Sequence, residues 1–101
     1  MLIKCLKIWE LIWMKYKIVV SRAFEKNLKK LTFIEQKHVA EKLKILQINP
    51  RHSSLRTKKI KGFEGLFECS VNMDIRILWR YKGTEIIVTL DIGHHSILNK
   101  L

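Results

Sequence analysis

The sequence predicts one small α+β domain: an N-terminal strand, a two-helix hairpin, then an antiparallel β-meander packed on the helices. Three observations predict it. The chain has 101 residues, a single-domain length, and 48% of them are hydrophobic, enough for one modest core. Apolar residues recur at helical spacing through the first half and switch to alternation in the second. One Pro and four Gly interrupt the chain, so its apolar content is spread rather than broken into disordered tracts.

The first thirteen residues, MLIKCLKIWELIW, are read apart from the domain. Lys4, Lys7 and Glu10 break their apolar runs, which are too short to span a bilayer. They lack the long clean stretch and small-residue cleavage site of a signal peptide. As a helix they would align Leu2, Leu6, Trp9 and Trp13 on one face, suited to an interface or a partner. The simpler expectation is that Met14 opens the domain, residues 14–101, and that residues 1–13 are an extension upstream of the true start.

Tyr16 to Val20 reads as a short strand rich in β-branched residues. Ser21 is placed to cap the helix that follows, where Phe24, Leu28 and Leu31 recur at helical spacing. Thr32 and Glu35 form a Thr-x-x-Glu capping box for a second helix. Val39, Leu43 and Leu46 are expected inward there, with Ala40 alongside. Asn49-Pro50 ends it, because Pro disfavours a helical residue before it. The basic connector RHSSLRTKKIK, residues 51–61, is a candidate extra strand. Strands are expected over residues 66–71, 75–81 and 85–92, joined by turns at Asn72-Met73-Asp74 and Lys82-Gly83. In the middle strand Ile75, Ile77, Trp79 and Tyr81 share one face; Arg76, Leu78 and Arg80 share the other.

Twenty Lys and Arg stand against nine Asp and Glu, a net charge of +11 with His neutral. A small domain this basic points to a polyanionic partner, nucleic acid first; an anionic membrane surface or an acidic protein is the alternative. The connector holds five of these cations and no acid. Arg56, Lys58, Lys59 and Lys61 are therefore candidate RNA-phosphate contacts, against the simpler reading of a solvated charge run. Cys5 and Cys69 form no disulfide framework and no metal-ligand spacing, which points to reduced thiols and a cytoplasmic protein.

Arg76 is a mid-strand cation, either solvent-facing or set to clamp a phosphate bidentately. Asp74 sits in a turn, where Asp is common for local hydrogen-bonding reasons. His94 and His95 would point to opposite faces if the strand continued through them, and no Cys completes a ligand set. No metal and no other cofactor is therefore expected. A role in proton transfer or phosphate contact suits His, which titrates near neutral pH.

The order β-α-α, then LRTKKIKGFEGLFECSVNMDIRILWRY, then TEIIVTLDIGHHSIL resembles the RelE/ParE superfamily of bacterial toxins. The resemblance runs from about Tyr16 to Leu98. It implies the toxin half of a type II toxin–antitoxin pair, with a cognate antitoxin as partner. RelE-like and YafQ-like members are ribosome-dependent endoribonucleases that cut mRNA without metal. The ribose 2′-hydroxyl attacks the adjacent phosphate, leaving a 2′,3′-cyclic phosphate and a 5′-hydroxyl. ParE-like members poison DNA gyrase and lack the nuclease residues, so fold does not choose between the activities. The resemblance implies that Arg76 lies beside the scissile phosphate, and that Asp74 and His95 match catalytic groups of YafQ-like toxins. His95 is then the candidate acid or base, and His94 a flanking residue with at most an RNA contact. Glu68 and Ser70 hold the places of two RelE-like strand lysines, and Lys58 falls near a YafQ-like histidine. Asn99, Lys100 and Leu101 stand where a base-stacking aromatic is usual.

Overall fold

The computed structural model describes residues 15–94. The N-terminal extension and His95 lie outside the described residues. Five strands form one sheet in the order β1-β5-β4-β3-β2, with two helices between β1 and β2. β1 is Lys17–Val20, α1 Arg22–Leu28, α2 Phe33–Ile48, β2 Lys58–Lys59, β3 Phe67–Ser70, β4 Ile75–Lys82 and β5 Ile86–His94. A single 3-10 turn, Ser53–Leu55, precedes β2. The expected α+β order therefore holds, and the basic connector does supply a strand. No helix among the described residues is long and apolar enough to cross a membrane.

The helices begin where the sequence caps them. The Ser21 hydroxyl accepts the Phe24 N–H at 3.1 Å and donates to the Leu90 carbonyl at 2.8 Å, tying the start of α1 to β5. At α2 the Thr32 hydroxyl accepts from the Glu35 N–H while Glu35 accepts from the Thr32 N–H, a complete capping box. Asn49, extended before Pro50, stops α2. α1 is shorter than its periodicity suggests. It ends at Leu28, and Leu31 packs on the core from the connecting turn instead. Ala40, expected beside the inward residues of α2, is exposed. It follows Val39 by one position, about 100° around the helix, and so leaves the buried stripe.

The core lies between the helices and one sheet face. Phe24, Val39 and Leu46 meet Ile75, Ile77, Trp79, Ile87 and Ile92, all fully or almost fully buried. Full burial of such a side chain stabilises the fold by about 1.5–3 kcal/mol. Tyr81 makes an edge-on contact with Trp79, and Phe67 stacks on Trp79 at 4.8 Å.

Two departures set up the site. The β4–β5 connection is a three-residue loop, Gly83 to Glu85, rather than a Lys82-Gly83 turn; Lys82 pairs with Ile86 and Gly83 takes φ 67. Further along, Trp79 pairs with Thr89 but Leu78 with Asp91, so Leu90 is an extra residue. This bulge changes the parity of everything after it. It brings Ile92 opposite Ile77 and His94 opposite Ile75. Without it the charged Asp91 would face Ile77 across the core, so burial of Ile92 drives the shift.

Candidate functional site

The site is built on the β3–β4 turn and the last residue of β5. Asn72 organises the turn. Its side-chain oxygen accepts the Asp74 N–H at 2.8 Å and the Ile75 N–H at 2.7 Å. Asp74 was expected to make such local bonds; Asn72 makes them, which leaves the Asp74 carboxylate to point outward. That carboxylate is hydrogen-bonded to Nδ1 of His94. Asp74 and Arg76 are thus where the sequence reading put them, on the turn and the strand after it. The histidine that the described residues bring to Asp74 is His94, read earlier as a flank.

Arg76 lies one strand position beyond Ile75. Its Nη1 donates to the Asn72 carbonyl at 2.7 Å and to the Ile75 carbonyl at 3.3 Å. These bonds hold the guanidinium over the turn while engaging one of its three nitrogens. Its neighbours across the ladder are Ser70 and Gly93. One is a short hydroxyl and the other has no side chain, so neither paired residue lays a long side chain beside Arg76, which is half-buried.

Chemically, an ionised carboxylate only accepts hydrogen bonds. In a neutral His94 imidazole, such an acceptor at Nδ1 selects the tautomer with its proton on Nδ1 and leaves Nε2 as an acceptor. The two side chains keep more than half of their surface exposed, 57% and 61%, so a substrate can reach the pair. Among the described residues no group of three or more His, Cys, Asp or Glu side chains could hold a metal ion.

The basic connector divides. Lys58 pairs with Glu68 and Lys59 with Phe67 in the two-residue β2, and Arg56 and Lys61 flank that strand; all four cations are exposed. Glu68 is buried in β3 rather than lining an open surface. Asn72 was missed as a functional residue, although Asn two positions before Asp in a tight turn is a recognisable Asx-turn signal. The His94–Asp74 contact had no sequence signal, because it depends on how β5 pairs with β4 across the sheet, which no local pattern records.

No protein family model matches the chain, and no curated protein matches it. Solved structures do. An archaeal RelE in its RelE–RelB complex from Pyrococcus horikoshii superposes with a TM-score of 0.68 at 19% identity, over 80% of this chain and 96% of that one. A YoeB/ParE toxin from Agrobacterium tumefaciens gives 0.69 at 12% identity, over 78% and 98%. YafQ from E. coli strain BL21(DE3) gives 0.60 at 16% identity, over 82% and 97%.

The chain has the RelE/ParE-like toxin fold.

The three matches cover 96–98% of each neighbour. Other neighbours include a RelB–RelE antitoxin–toxin complex from Methanococcus jannaschii and a DinJ–YafQ complex from E. coli. Within this fold the site described above occupies the turn between the third and fourth strands and the end of the fifth.

Proposed function

We propose that this chain is the toxin of a type II pair, silenced by a cognate antitoxin, and that it cleaves mRNA on the ribosome in the cytoplasm. The observation that carries this reading is the Asp74–His94 pair on the same turn that holds the guanidinium of Arg76. His94 Nε2 removes the proton from a ribose 2′-hydroxyl. The 2′-oxygen attacks the adjacent phosphorus, the bond from phosphorus to the 5′-oxygen breaks, and a 2′,3′-cyclic phosphate forms. The leaving 5′-oxygen takes a proton, supplied by His95 or returned by the His94 imidazolium, and ends as a hydroxyl. Arg76 neutralises the charge that builds on the non-bridging oxygens. Asp74 holds the imidazole in the productive tautomer and stabilises its cation. Arg56, Lys58, Lys59 and Lys61 hold the RNA and the ribosomal surface around it.

The test is inducible expression with and without the antitoxin, with mRNA ends mapped. Growth arrest with codon-phased cuts is expected. His94→Ala should lower cleavage by roughly a hundred- to ten-thousand-fold, and Arg76→Ala by about a hundred-fold or more, with the fold retained in both. Unchanged cleavage in both variants would falsify the assignment. His95→Ala separates the two proton-donor routes: a loss as large as that of His94→Ala assigns the donor to His95.

A second reading is favoured by Glu68, whose buried carboxylate stands where RelE-like nucleases resemble one another in carrying lysine. In it the chain binds its antitoxin without cutting RNA, or poisons gyrase. DNA-damage signalling on expression, with intact mRNA, would select the gyrase branch.

A further inference from the structure

Beside Arg76, a pocket of about 200 Å³ opens between α2, the 3-10 turn and the β3–β4 turn. Its lining includes Lys42, Ser54, Arg56, Ser70, Asn72 and Met73. Resting on the nuclease reading above, we propose that this pocket is a second phosphate subsite, which takes the backbone phosphate of the nucleotide next to the scissile one.

Four observations carry the assignment. The first is charge. The lining has two cations and no carboxylate, whereas two other surface pockets each contain an acid, Glu25 in one and Glu85 in the other. A cavity with uncompensated positive charge favours an anion. The second is size. Small-molecule sites run to roughly 300–1,000 Å³, so 200 Å³ suits one group of a longer ligand rather than a whole ligand. The third is position. Ser70 lines the pocket and is the ladder neighbour of Arg76. Directly paired residues stand about 4.5–5.5 Å apart at Cβ, so the Ser70 edge of the pocket neighbours the strand position of Arg76. Asn72 also lines it and is the residue that anchors both Asp74 and Arg76.

The fourth is the backbone of Arg56. It is the one non-glycine residue at positive φ among the described residues, with φ 50 and ψ 45. Glycine or asparagine usually fills such a position. An arginine there keeps a strained backbone whose effect is to hold a guanidinium at the pocket wall. Lys42 reaches the same wall from α2, where its ammonium donates to the Ser54 carbonyl at 3.3 Å and keeps two further protons for a ligand. Met73, 90% exposed, borders the pocket and offers an apolar surface against which a base can lie.

The experiment measures binding of the full chain to a fully 2′-O-methylated RNA oligonucleotide, which cannot undergo 2′-hydroxyl attack, across a salt series. The double variant Arg56→Gly with Lys42→Gln removes both cations. Glycine accepts the left-handed backbone, so this chain should fold. The expected result is a loss of roughly tenfold in affinity at low salt. The slope of log affinity against log salt should fall by about 0.7, the signature of one phosphate contact on a single strand. Lys82→Gln removes a cation at the opposite end of β4 and should leave the slope unchanged. A double variant with wild-type affinity and slope overturns the subsite, even if cleavage is intact. Conversely, a pocket-dependent slope in a chain that cleaves no mRNA keeps the subsite and sinks the nuclease reading.

Discussion

Two residues show how a single position is set by what surrounds it. Burial in β3 pushes the Cys69 thiol up from 9.0 to about 12, and the negative charge of Glu68 adds to the shift. The folded chain therefore holds a neutral thiol where an unfolded chain already ionises. Stability from this group is full below pH 9 and is lost as pH rises toward 12. Native Cys69 should resist alkylation at pH 8 and react once the chain is unfolded, as read by peptide mass mapping. Rapid native labelling of its peptide would contradict the burial. Asn72 acts the other way, through polar bonds. Asn72→Ala leaves two turn N–H groups without their acceptor, at about 1–3 kcal/mol. Because the same turn presents Asp74 and Arg76, cleavage should fall further than the stability loss explains. Comparing thermal unfolding with the cleavage rate checks this.

At the scale of elements, caps and turns did the placing. α1 has seven residues, too few to hold together alone. It persists because Phe24 is fully buried and Ser21 is bonded to β5. Phe24→Ala should cost about 3–5 kcal/mol. Thr32→Ala, which opens an exposed capping box, should cost only about 1 kcal/mol. Chemical denaturation of the two variants ranks them; equal losses would mean that α1 is not held by its core contact. Both caps were legible in the sequence, since a capping box needs only two residues at fixed spacing. The end of α1 was not. Leu31 keeps the helical spacing but packs from the turn, and spacing alone cannot distinguish the two. The bulge in β5 was equally hidden. Leu90 is apolar and continues the strand pattern, and its extra place appears only when Ile92 must face Ile77.

For the whole molecule, charge and strand order matter most. A net +11 on 101 residues should make nucleic-acid binding fall steeply with salt. Sheet order brings the chain's first described strand beside its last. β1 runs parallel to β5, and the Asn27 amide donates to Asp91 at 2.6 Å. That closure fixes the strand whose final residue reaches Asp74. By itself the sequence determined the α+β class, the order of elements, the apolar face of β4, and the basic connector. These are encoded locally, by the period of apolar residues and by capping and turn chemistry. Only the tertiary structure decided that β1 joins β5, that β5 carries a bulge, and that His94 meets Asp74 while a cationic pocket opens beside Arg76. Those outcomes depend on which remote residues must be buried together, and no local period records that.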